Sequence, residues 1–193
     1  GLGNEGRLGN QMFQYAFIRG MSKRYGYDFI IPDANANRFD NYGLFDCFKL
    51  EGCKTGEGSY PTLECRDTAF NQKFLDECSD NTNYSGVFQT EKYFTNATEE
   101  LRKDFTFHKE ILDPCQEFIN SVGDVIFLHV RRGNSNLVGN RGEKWSYQML
   151  QDYHPLMKKE YYLQALSHFD ESKKVIVLSD TIDWCKKQDW LQD

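Results

Sequence analysis

"VIFLHVRRGN", Val125 to Asn134, decides the fold. An apolar, β-branched run ends in two arginines and a glycine. Such a run predicts a buried strand. A second run of this kind, "KVIVL" at Lys174–Leu178, follows a long polar connection over 133–157 and the helical stretch "KKEYYLQALSHF". In that stretch Tyr161, Tyr162, Ala165 and Phe169 fall on or near one face. "SDTIDWCKKQDWL" then predicts a further helix, capped near Asp180 or Thr181. Strand, connection, helix, strand, helix is a βαβα unit, which builds a parallel sheet with right-handed crossovers. The expected class is α/β.

Towards the amino terminus the reading is less regular. "GRLGNQMFQYAF", Gly6 to Phe17, sets a glycine-rich turn against apolar residues at helical spacing: Met12, Phe13, Ala16, Phe17 and Met21. Asn10 stands where an N-cap is expected and Gly26 where a helix would stop. "YDFII", Tyr27–Ile31, reads as a strand ended by Pro32. Residues 33–86 are rich in Asn, Asp, Gly and Ser and predict loops and short pieces. "GVFQTEKYF", Gly86–Phe94, reads as a short strand running into a helix over "NATEELRKDFTF", capped by Asn96 or Thr98. A further helix is expected after Pro114. These elements place a domain boundary near residue 120, giving domains 1–120 and 121–193. The second is expected to be incomplete at Asp193, and the first to lack a strand before Gly1.

Bulk properties exclude several classes. The 193 residues suit one ordinary domain, or one small domain with part of another. Net charge is −6, so a basic surface for nucleic acid is not expected. No apolar run is long enough to span a bilayer. Six cysteines occur without a CxxC pair, which argues against zinc and for reduced thiols. No GxxxxGK[ST] loop is present, so an unrelated NTP-binding module is disfavoured.

The chemistry gathers at strand ends. Residues on a strand alternate faces, so His129 and Arg131 project one way and Val130 and Arg132 the other. Two arginines at the carboxyl end of a buried strand stand where ligands bind in α/β sheets. A guanidinium is permanently charged and its donor fork matches a phosphate, so a pyrophosphate fits here. Gly133 allows close approach of backbone to ligand. Ser179 and Asp180 end the next strand at the same rim, where a carboxylate can accept from a base or ribose hydroxyl. In "GRLGNQ", the start of a helix presents free N–H groups and the positive end of its dipole. Arg7 adds a charge there, and Asn10 and Gln11 add oriented donors and acceptors. Taken singly, each feature has a plainer reading: a solvated strand end, a core histidine, a helix cap, an exposed arginine.

Together the stretches change that balance. "GRLGNQMFQYA", "FQTEKYF", "HVRRG", "YYLQAL" and "VLSDTIDWCK" occur in the order seen in the bacterial-type α-1,2-fucosyltransferases, glycosyltransferase family eleven, which the chain resembles over most of its length. The resemblance implies two Rossmann-like domains of the GT-B type with a cleft between them, an acceptor-side domain at 1–120 and a partial donor domain at 121–193. It implies inverting, metal-independent transfer of fucose from GDP-fucose to the 2-hydroxyl of a galactose-terminated glycan, with no cofactor. Arg131 and Arg132 would act on the donor diphosphate. His129, Ser179 and Asp180 would lie nearer the guanosine, with Gly133 and Asn134 beside them. Arg7, Asn10 and Gln11 would close the site from the first domain. A cytoplasmic protein, peripheral at a membrane, is expected, or a Golgi-lumenal one if the full gene carries an anchor.

Three departures from the family pattern stand out. Asn134 replaces the usual Asp after "HVRRG", Thr181 stands where a second acid is common, and the family's C-terminal donor-domain segment is absent. They motivate an alternative: a truncated, non-catalytic remnant that binds a sugar nucleotide or glycan. No spacing singles out a general base among Asp40, Asp46, Glu91 and Asp124.

Overall fold

The computed structural model describes residue 2 and residues 6–33, 43–132 and 155–191. The chain forms two compact units, Gly1–Asp113 and Pro114–Asp193. Both combine helices with short parallel strands, as expected of an α/β chain.

The first unit is organised around α1 (Leu8–Tyr25). Gly6 turns the chain with φ 74°, and the helix starts at once, with the Arg7 carbonyl accepting its first bond from the Gln11 N–H at 3.0 Å. The cap position therefore falls to Arg7, whose side chain makes no capping bond, and Asn10 lies inside the first turn rather than at the cap. Gly26 ends the helix in the left-handed conformation, as its lack of a Cβ permits. Two apolar clusters flank α1. Tyr15 and Ala16 pack with Ile31, Leu44, Phe48 and Leu101, and Phe17 and Met21 pack with Phe74, Leu75, Phe88 and Tyr93.

The strands of this unit pair in twos. β1 (Ile30–Ile31) lies parallel to β2 (Lys54–Thr55), and β3 (Thr62–Glu64) lies parallel to β4 (Asn83–Ser85). The strand expected over Tyr27–Ile31 is thus only two residues long, because β2 offers only two residues to pair with it. In the chain α2 (Leu44–Cys47) connects β1 to β2 and α3 (Gln72–Glu77) connects β3 to β4; Asn71 caps α3 by accepting from the Phe74 N–H at 2.9 Å.

No strand forms over Gly86–Phe94. Phe88 takes φ 48°, off any strand conformation, and stacks flat on Phe17 with ring centroids 3.9 Å apart. Two 3-10 turns (Glu91–Tyr93 and Thr95–Ala97) lead into α4 (Thr98–Asp104). Gly20 lets these turns approach α1, since a Cβ there would meet the Tyr93 carbonyl oxygen at 2.7 Å. Neither Asn96 nor Thr98 caps α4: the Asn96 amide donates to the Gly20 carbonyl, and the Thr98 hydroxyl to that of Thr95.

α5 (Lys109–Val122) begins before Pro114 rather than after it. The proline sits in the second turn and removes the N–H that would reach the Glu110 carbonyl. In the second unit, β5 (Val125–Val130) pairs in parallel with β6 (Lys174–Ser179), from Val125↔Lys174 to Val130↔Ser179. α6 (Lys159–Leu166) lies between them in the chain, and α7 (Ile182–Cys185) follows. Leu128 and Val130 pack with Tyr162 and Cys185, supported by Leu166, Trp184 and Trp190. The inward face of α6 is therefore Tyr162 and Leu166. Tyr161 and Phe169 are exposed, because an i, i+4 pair faces one way while its neighbours diverge. The apolar run of β5 is covered on one face only among the described residues, with Phe127 on the other face 49% exposed. No helix among the described residues is long and apolar enough to cross a membrane.

Candidate active site

The register of β5 and β6 sets the first group of residues. Val130 pairs with Ser179, so Arg131 and Asp180 come next, at the carboxyl ends of adjacent parallel strands. Asp180 accepts a hydrogen bond from the Arg132 backbone N–H at 3.0 Å and so ties the two strand ends together. It does not cap α7. The Ser179 hydroxyl accepts from the Thr181 N–H at 2.9 Å, which orders the turn into that helix.

The two arginines differ. Arg131 is exposed, on the His129 face, whereas Arg132 is half-buried with its Cζ 3.8 Å from the centre of the Trp184 ring. His129 is exposed and pairs in register with Leu178, one position short of the rim. Burial raises the pKa of the Tyr162 hydroxyl, partly offset by the nearby Arg132 charge. Gly133 and Asn134 lie outside the described residues.

The second group stands at the mouth of α1. No acidic side chain sits in the first turn to offset the positive end of the dipole, and Arg7 is exposed beside it. A Cβ on Gly6 would collide with the Asn10 amide, so glycine is required by the packing as well as by its φ. The Asn10 Oδ1 accepts from the Gln89 Nε2 at 2.5 Å. Gln11 is fully buried and points into the unit, unlike Arg7 and Asn10.

Gln89 and Trp184 were not distinguished by charge or spacing. Their only signal was membership of "FQTEKYF" and "VLSDTIDWCK". Among the acids, Asp104 is fully buried and accepts from Tyr15 Oη at 2.9 Å and from both Nε and Nη2 of Arg19 at 2.7 and 2.8 Å. It is thereby committed to the core. Asp124 is paired with Lys173 at the amino-terminal end of the sheet. Asp46 and Glu91 are exposed, and Asp40 lies outside the described residues. Among the described residues no group of three or more His, Cys, Asp or Glu side chains could hold a metal ion. All six cysteines are unpaired.

Residues 60–189, which include Gln89 and the whole β5–β6 rim, match Glycosyl transferase family 11. The chain belongs to this family. It is also 25% identical over 219 positions to the alpha-1,2-colitosyltransferase of Escherichia coli, an alignment covering 94% of this chain and 69% of that protein. No solved structure gives a significant match. As a glycosyltransferase family, it implies a nucleotide-sugar donor and a glycan acceptor. The matched span contains both arginines and Asp180, while Arg7, Asn10 and Gln11 precede it.

Proposed function

We propose that the chain transfers L-fucose from GDP-fucose to the 2-hydroxyl of a galactoside, with inversion at the fucose anomeric carbon and without a metal. The observation that carries the reading is the β5–β6 rim, where Arg131, Arg132, Ser179 and Asp180 stand together in a segment matched to family 11. In the reaction the acceptor hydroxyl attacks the anomeric carbon, the bond to the β-phosphate breaks, and charge builds on the departing GDP. Guanidinium groups at this rim stabilise that charge. Arg131 and Arg132 take this role. Asp180, Ser179 and His129 lie towards the nucleoside, with Gly133 and Asn134 as donor contacts in the segment that follows. Arg7 and Asn10 bind the hydroxyl-bearing part of the ligands, and Gln11 supports the turn from inside. The acceptor proton passes to a general base. Asp104 and Asp124 are poor candidates, since each is already engaged with a cation.

A second reading of the donor sugar comes from the Escherichia coli relative, whose name specifies colitose in the same α-1,2 linkage. Incubating the chain with galactose-terminated acceptors and either GDP-fucose or GDP-colitose, then determining the product linkage, separates the two. An α-1,2-fucosyl product is expected. Colitose transfer alone would replace the donor assignment. Binding of GDP-fucose without transfer or hydrolysis would favour a non-catalytic remnant.

A further inference from the structure

The two arginines of "HVRRG" look interchangeable in sequence, yet only Arg132 is described with an aromatic ring beneath its guanidinium. Its Cζ lies 3.8 Å from the Trp184 ring centre, a stacking distance. Its backbone N–H is pinned by Asp180 at 3.0 Å. Trp184 is itself fixed. It packs against the cluster of Leu128, Val130, Tyr162 and Cys185, and its carbonyl accepts from the Lys187 N–H and the Gln188 side chain, both at 3.1 Å.

We propose that Trp184 is a positioning residue that holds the guanidinium of Arg132 in the orientation used for a nucleoside diphosphate. The inference rests on the donor reading given above. Its physical basis is the shape of arginine. All five N–H donors lie in the guanidinium plane, so stacking on a ring face restrains the group while consuming none of them. A long side chain otherwise loses rotamer freedom when it binds, and pre-orientation removes that cost from the binding step. The packed core beneath Trp184 supplies the rigidity. Arg131, on the other face of the strand, lacks this support among the described contacts and must be ordered by the ligand itself.

The test titrates GDP and guanosine into the full chain and into Trp184→Leu, Trp184→Phe, Arg132→Ala and the double variant Arg132→Ala/Trp184→Leu. Trp184→Leu is expected to weaken GDP binding by about 5- to 30-fold, the range of a desolvated cation–π contact, and to leave guanosine binding nearly unchanged. Trp184→Phe keeps a ring face and should recover most of the loss. The double variant should bind GDP no more weakly than Arg132→Ala alone, because both changes remove one unit. Additive losses, or an equal loss of guanosine binding, overturn the proposal. If Arg132→Ala is weakened and Trp184→Leu binds like the parent, the proposal fails and the donor reading survives. If Arg132→Ala binds GDP like the parent, the proposal fails, and the donor reading falls too if Arg131→Ala also binds like the parent. A readout without ligand covers poor folding of Trp184→Leu: the Arg132 Nε–H resonance in the parent should lie upfield of an exposed arginine's, because the indole ring face shields it. An unshifted resonance removes the stack and the proposal together.

Discussion

The Asn10 Oδ1 of α1 and the Gln89 Nε2 of the loop after β4 lie 2.5 Å apart, joining residues 79 positions apart in the chain. The loop is held in an uncommon conformation. Phe88 has φ 48° although it is not glycine, a state that costs roughly 1–3 kcal/mol and persists only where surroundings fix it. Here the flat stack on Phe17 and the burial of Phe88 fix it. The loop so held carries Gln89, whose amide donates to Asn10, a residue that the proposed function places at the ligands. Its exposed side chain supports little packing, so Gln89→Ala should change unfolding free energy by less than about 0.5 kcal/mol. Transfer efficiency should fall by about tenfold, the scale of one lost hydrogen bond. Denaturant melts and transfer kinetics on the same preparation check both parts; a large stability loss would make the pair purely structural.

Asp104 predicts the opposite pattern. It is a fully buried carboxylate with three partner atoms on Tyr15 and Arg19, and Arg19 in turn donates to the Glu51 carbonyl at 3.0 Å. Removing it would leave a half-buried guanidinium without its counter-charge. Asp104→Ala should therefore cost about 3–5 kcal/mol of stability, and Tyr15→Phe about 1 kcal/mol. Urea titration measures both. GDP affinity per folded molecule should stay unchanged, because Asp104 belongs to the core and not to the rim.

Alkaline pH should unfold the chain early. Burial pushes the Cys53 and Cys78 thiols up to about 11, and burial with the neighbouring Cys78 pushes the Tyr84 hydroxyl up to about 12. Each raised group binds its proton more tightly in the folded state than in the unfolded one. Their contribution is present in full below the ordinary thiol and phenol range and is lost as pH rises through the folded values. Stability should thus decline from about pH 9 upward. Melts between pH 7 and 11 follow it, and replacing Cys53 and Cys78 by Ala should flatten the slope even if it lowers the plateau.

Much of the second unit was legible because its strands are written in apolar runs that pair over six residues each. The unbroken apolar, β-branched runs "VIFLHV" and "KVIVL" marked both strands and their shared rim. The first unit was less legible. β2 owes its existence to a two-residue pairing that no local run records, β1 is cut by that pairing to two residues of the run "YDFII", and the loop at Phe88 is set by a ring stacked from α1, 71 positions earlier. The same limit applies to the site. Charge and strand-end position marked Arg131, Arg132 and Asp180. Gln89 and Trp184 make their contacts across the fold, and Asp180 looked like a helix cap because its partner, the Arg132 N–H, is 48 residues away.

Arg131 gives the sharpest test of the rim itself. It is exposed and follows β5 on the His129 face, away from the packed side that holds Val130. Its loss should leave the unfolding free energy within about 0.5 kcal/mol of the parent. If its fork engages the donor diphosphate, Arg131→Ala should weaken GDP binding by about 1.5–3 kcal/mol, the scale of a charge-assisted hydrogen bond. Arg131→Lys should recover only part of that, since an ammonium is a point charge and cannot form the planar fork. The parent should also bind GDP more tightly than GMP, and this preference should shrink in Arg131→Ala. Calorimetric titration of both nucleotides into the three proteins measures these effects, with thermal melts alongside. Equal affinity of the parent for GDP and GMP would remove the diphosphate assignment. Failure of Arg131→Ala to fold would show that the residue holds the strand end and not the ligand.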